Sequence, residues 1–138
     1  MDSLHRHRDY LEGEWRAARA APLSARKAML VATLIDNFVD RQFAATTGSG
    51  DILEYRAGRA KGSAAVGLVM ALCRRHEVKL VADAVAVPAA ACGDLPLEDF
   101  MVSVYNDGTV QRLQLVLGDG SRRDMLETLR EAISALDE

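Results

Sequence analysis

Aromatic side chains are scarce in this chain of 138 residues: three Phe, three Tyr and one Trp. Leu, Val, Ile, Met and Ala must therefore fill most of the core. The basic patch with interleaved aromatics that marks many nucleic-acid-binding domains is missing, and only residues 56–79 are locally basic. Lysine is limited to Lys27, Lys61 and Lys79, against abundant Ala and Arg, a bias that fits a GC-rich bacterial coding sequence. Cysteine is limited to Cys73 and Cys92, with no metal or redox spacing, as expected for two reduced thiols in a cytoplasmic protein. No apolar run approaches the ~20 residues of a membrane span. The basic start, Met1 to Arg8, has no apolar stretch behind it, which argues against a cleaved signal peptide. No repeat and no low-complexity linker interrupts the chain, and its length fits one domain over 1–138.

Hydrophobic residues make up 49% of the chain and charged residues 27%, a balance that favours a globular fold over disorder. The net charge of −3 is unevenly spread. Residues 1–80 hold 13 Lys/Arg against 9 Asp/Glu, and residues 81–138 hold 4 against 11. Such a split suits contact between opposite faces, within one chain or between two.

Periodicity predicts the elements. Leu4, Leu11, Trp15 and Ala18 form one narrow apolar stripe on a helix over 2–20, ended by Pro22. Its neighbour is either helix 2 or a second copy of the chain, and Trp15 is the anchor of the second case. Ser24 caps a second helix over 25–45. The apolar arc of that helix, including Leu34, Ile35 and Phe38, covers about half its circumference, so it belongs at the centre of the fold. Residues 1–48 thus read as a helical hairpin. Gly48-Ser49-Gly50 breaks the chain, with Ser49 or Asp51 as the next cap.

Residues 51–76 follow a helical pattern. Either one helix puts Ile52, Tyr55, Val66, Val69, Met70 and Cys73 on one face, with Gly58 and Gly62 allowing close approach, or the helix breaks at Lys61-Gly62-Ser63 and Ser63 caps a second piece. Strands are predicted at 78–87, 100–105 and 110–117, with Asn106-Asp107-Gly108-Thr109 as the hairpin turn before the last. Gly118-Asp119-Gly120 turns the chain, and Ser121 with Asp124 resembles a capping box for a helix over 122–136. The order α-α-α-β-β-β-α, with helices first, a three-stranded antiparallel meander and a C-terminal helix, describes a two-layer α+β domain.

Chemistry is weakly signalled. His5 and His7 point about 200° apart on a helix and have no third ligand nearby, so no metal is expected and they read as a solvated helix start. Asp36 and Asp40 share a helical face and their carboxylates can converge; Asn37 and Arg41 lie on the same side. This group reads as a solvated stripe with one Asp–Arg contact, and otherwise as a polar patch facing a partner. Arg59-Ala60-Lys61-Gly62-Ser63 is not a P-loop, because Lys precedes Gly. A helix starting at Ser63 would nonetheless bring free amides and two cations to an anion. Cys73, beside Arg74, Arg75 and His76, lies in an apolar stripe and reads as structural. No cofactor motif is present.

The expectation is therefore a non-enzymatic interaction or regulatory domain that forms a homodimer through Leu4, Leu11 and Trp15. The alternative is an anion-binding protein or small enzyme, with a pocket between helix 3 and the sheet and Arg56, Arg59, Lys61, Ser63 or Tyr105 reaching the ligand.

Overall fold

A computed structural model describes residues 3–46, 50–86 and 108–137. The described elements are helices α1 (Ser3–Ala20), α2 (Ala25–Thr46), α3 (Ile52–Gly62) and α4 (Ala64–Cys73), strands β1 (Val78–Ala86), β2 (Thr109–Leu117) and β3 (Arg122–Asp124), and helix α5 (Met125–Leu136). The predicted class holds: helices, then a three-stranded antiparallel sheet, then a C-terminal helix. None of the described helices is long and apolar enough to cross a membrane.

Local chemistry accounts for the helix starts. The Ser24 hydroxyl accepts the Lys27 amide at 3.2 Å, and the Asp51 carboxylate accepts the Leu53 amide at 2.8 Å. Each satisfies one amide that the first helical turn leaves without a backbone partner. The pattern over 51–76 resolves into two helices, because Ser63 leaves the helical conformation at φ −146°. Its amide closes α3 on the Arg59 carbonyl, and its hydroxyl caps α4 by accepting from Val66 at 3.3 Å. The close approach foreseen at Gly58 and Gly62 occurs elsewhere. A Cβ at either would meet nothing within 4 Å, whereas one at Gly67 would lie 3.3 Å from the Ala60 Cβ, where α4 folds back on α3.

The sheet order is β1-β2-β3. β1 pairs with β2 along its whole length, from Val78 opposite Leu117 to Ala86 opposite Thr109. The predicted strand 100–105, its turn residue Asp107, and Tyr105 and Cys92 lie outside the described residues. Gly108, at φ +75°, leads into β2. Residues 122–124 were expected to be helical but form β3, pairing with Gln114–Val116. Gly120, at φ +86°, makes this short return possible, since glycine takes a positive φ without steric cost. The helix consequently starts later, and its cap is Asp124, not Ser121: the Asp124 carboxylate accepts the Glu127 amide at 2.9 Å.

The core draws on α1, α2, α4, α5 and the helix-facing side of the sheet. Leu34, Ile35 and Phe38 are buried, as the wide apolar arc of α2 requires. Leu113 and Leu115 carry the sheet's contribution, with Val78 opposite the half-buried Leu117. The stripe of α1 packs on α2 of the same chain. Leu11 is 0% exposed and Trp15 is 6% exposed within the single chain. These two side chains have almost no area left to offer a second subunit, which corrects the expectation that they form the dimer contact. Leu4 is half-buried against the same core.

Candidate functional site

The polar residues singled out on α2 meet a partner from α3. Arg56 is one of two buried polar or charged side chains among the described residues. One arm of its guanidinium donates to Asp36 and the other to Asp40, the latter at 2.8 Å. Two carboxylates one helical turn apart repel, and a planar two-armed cation between them removes that repulsion. Burial works against the guanidinium's charge, but its bonds to Asp36 and Asp40 outweigh that and hold its pKa above the ordinary value. The Asp–Arg contact foreseen on this face therefore exists, but Arg41 is not its cation. Arg41 and Asn37 are exposed, and Arg41 instead borders a hollow of ≈ 250 Å³ with Ser3, Leu4, Ala44 and Ala45. Arg56, engaged on both arms, is not placed to hold an anion.

Arg59 is held by the C-terminal end of α5. It donates to Gln42 Oε1 at 3.0 Å and lies 3.5 Å from the Ala135 and Leu136 carbonyls. Gln42 also donates to the Leu136 carbonyl, at 2.8 Å. Helix C-termini leave carbonyls without amide partners, and a cation there suits the helix dipole. Arg59 and Ser63 do line one hollow of ≈ 240 Å³, with Gly58, Gly62, Val66 and Ala135. Lys61 is exposed and does not line it.

The thiol of Cys73 is half-buried. Burial, reinforced by the negative charge of Asp36, pushes its pKa up to about 11 from an ordinary 9.0. That is opposite to what a nucleophilic cysteine needs, and the three basic residues after it do not prevail. At pH 8 the native thiol then holds about 100-fold less thiolate than an unperturbed one. In a Cys92→Ser background, alkylation of native Cys73 at pH 8 is therefore expected to run about 100-fold slower than in urea. A rate within about threefold of the unfolded rate would show an accessible thiol with an ordinary pKa.

The histidines divide. His5 is exposed and lies 3.4 Å from Asp9. His7 is not solvated as expected: it stacks on Phe38, with centroids 5.8 Å apart, and its Nε2 donates to the Leu34 carbonyl at 3.3 Å. Among the described residues no group of three His, Cys, Asp or Glu could hold a metal ion.

Among the described residues a different surface is left unpaired, and no motif in the sequence marks it. β1 is at the edge of the sheet, with no strand on its outer side among the described residues. Lys79, Ala82, Ala84 and Ala86 are exposed along it. Beside its first half lies a largely apolar hollow of ≈ 470 Å³, lined by Met29, Leu72, Val78, Leu80 and Val81 together with Arg75, Glu77 and Lys79. The strand character of β1 is legible in the sequence; its position at the edge is not, because sheet order depends on chain path. Compared with known proteins, the chain matches no family model, no curated protein and no solved structure.

Proposed function

We propose that this chain is a non-enzymatic interaction or regulatory domain of the bacterial cytoplasm that works as a homodimer. The observation that carries this reading is the outer edge of β1, which no described strand pairs. A strand of nine residues with its outer side unpaired by any described strand and an apolar hollow alongside presents both backbone groups and apolar surface to a partner. Two of the candidate ligand-binding cations are instead engaged within the fold: Arg56 with Asp36 and Asp40, and Arg59 with Gln42 and the end of α5. Cys73 is held as a neutral thiol.

Sedimentation equilibrium of the full chain across micromolar concentrations tests the proposal. A dimer in reversible exchange with monomer is expected. A chain that stays monomeric throughout would overturn it.

One observation favours the second reading, a small-anion binder. Arg59 and Ser63, from opposite sides of the α3–α4 break, line the same hollow. Inorganic phosphate should then raise the unfolding temperature of wild type but not of Ser63→Ala. No rise at millimolar phosphate would end that reading.

A further inference from the structure

The hydrogen-bonding direction of β1 can be read from two separate observations. The Leu117 amide donates to the Ser121 carbonyl, toward β3. In an antiparallel strand, a residue's N–H and C=O point to the same side, and successive residues alternate. Odd-numbered residues of β2 therefore face β3 and even-numbered ones face β1. The register, Val116 opposite Lys79 and Gln114 opposite Val81, then turns the odd-numbered residues of β1 toward β2. Independently, the Ala84 amide donates to the Asp83 carboxylate at 2.8 Å, as an amide turned away from β2 can. Both observations direct the backbone groups of Leu80, Ala82 and Ala84 away from β2, to the side where no described strand lies.

Only two residues of β1, Lys79 and Asp83, are charged. They have opposite sign, lie on the same face and are equidistant from Val81. Natural edge strands are often protected from pairing by charge, because like charges meet when two copies approach. Here the arrangement does the reverse. In an antiparallel pair with Val81 opposite its own copy, Lys79 falls opposite Asp83 of the second strand, and Asp83 opposite Lys79. The outward-facing residues fall into register as well. Leu80 meets Ala82, and Val78 meets Ala84, as hydrogen-bonded pairs. Lys79 and Asp83 then occupy non-hydrogen-bonded pairs, where cross-strand side chains come closest.

We infer that the occupant of this edge is a second copy of the same chain, paired antiparallel about a two-fold axis at Val81, so that the two sheets join through β1. The inference rests on the homodimer reading above and gives it a surface. Charge complementarity selects the partner, and the small exposed side chains of Ala82 and Ala84 let the backbones approach. Asp83 already receives Arg122 Nη1 at 2.6 Å, and that cation flanks the carboxylate on the side away from the partner. The bond from the Ala84 amide to Asp83 satisfies an edge donor in the monomer and is exchanged for the partner's carbonyl on pairing. The apolar hollow beside Leu80 leaves room on the helical side of the joined sheet.

Charge reversal on the full-length chain provides the test, read by sedimentation equilibrium. Lys79→Glu alone places two acidic pairs across the axis, and Asp83→Lys alone places two basic pairs. Each is expected to weaken self-association about tenfold or more. Mixing the two variants makes every cross-strand pair opposite in sign, and heterodimers should form with near wild-type affinity. Ala82→Pro is a second probe. It removes an outward N–H without touching the β1–β2 ladder, so it should abolish dimers while circular dichroism stays native. If wild type dimerises and neither reversal nor Ala82→Pro alters the constant, this surface is wrong and the homodimer reading stands on another. If wild type is monomeric, both fall.

Discussion

Arg56→Ala is expected to destabilise the chain by about 2–4 kcal/mol in a urea titration. The loss has little to do with packing. It comes from leaving Asp36 and Asp40, one turn apart on α2, without the cation that holds them together. Removing one member of a buried ion cluster commonly costs about 3–5 kcal/mol. The lower range is appropriate here because the Asp40 side chain keeps 43% of its exposure, while Asp36 keeps only 17%. The companion variant separates charge from shape. Arg56→Met combined with Asp36→Leu and Asp40→Ala replaces the cluster with apolar groups and should recover most of the loss, since a buried ion pair gains little over a well-packed apolar substitute. A loss below about 1 kcal/mol for Arg56→Ala would show that these charges behave as an ordinary surface pair.

Trp15→Ala should cost about 3–5 kcal/mol, the range for deleting a large buried aromatic side chain. Trp15 is 6% exposed and belongs to the core formed where α1 packs on α2. The guanidinium of Arg19 lies 5.8 Å from its ring centroid, a cation–π contact that adds about 0.5–1 kcal/mol at an exposed site. The dependence on protein concentration tells whether the side chain belongs to one chain or to a contact between two. A core tryptophan lowers stability equally at every concentration, whereas a residue at a subunit contact acts through mass action. If the deficit vanished at low protein concentration, Trp15 would belong to a subunit contact after all.

Much of the local structure is legible in the sequence because near neighbours set it. The helix over 25–46 follows from a 3.6-residue apolar period and from the Ser24 hydroxyl, and both act within one turn. The two readings of 51–76 differ by one residue's conformation. Ser63 is recognisable as the cap of the second piece, but whether the chain bends there depends on α4 packing back across α3 at Gly67 and Ala60. Residues 122–124 escape a local reading for a related reason. Asp124 is a helix cap, but three extended residues ending on it gain hydrogen bonds from β2 that no local propensity reveals.

The candidate site shows the same division more sharply. Four-residue spacing places Asp36 and Asp40 together, yet Arg56, twenty residues from Asp36, looks in the sequence like a ligand-binding cation rather than their counter-ion. Arg59 looks the same, and in the fold it braces the end of α5.

The course of the helix over 25–46, its Ser24 cap, that β1 and β2 are strands, and which faces are apolar all follow from the order of residues alone. Side-chain period and capping depend only on positions a few places apart. The fold had to settle that α1 spends its stripe on α2, that Arg56 bridges two aspartates, and that β1 is an edge strand among the described strands of its sheet. Those outcomes join residues tens of positions apart, and they follow from the path of the chain, which no local pattern specifies. The symmetry of Lys79 and Asp83 about Val81 is written in the sequence, but it acquires meaning only where the fold turns that strand outward.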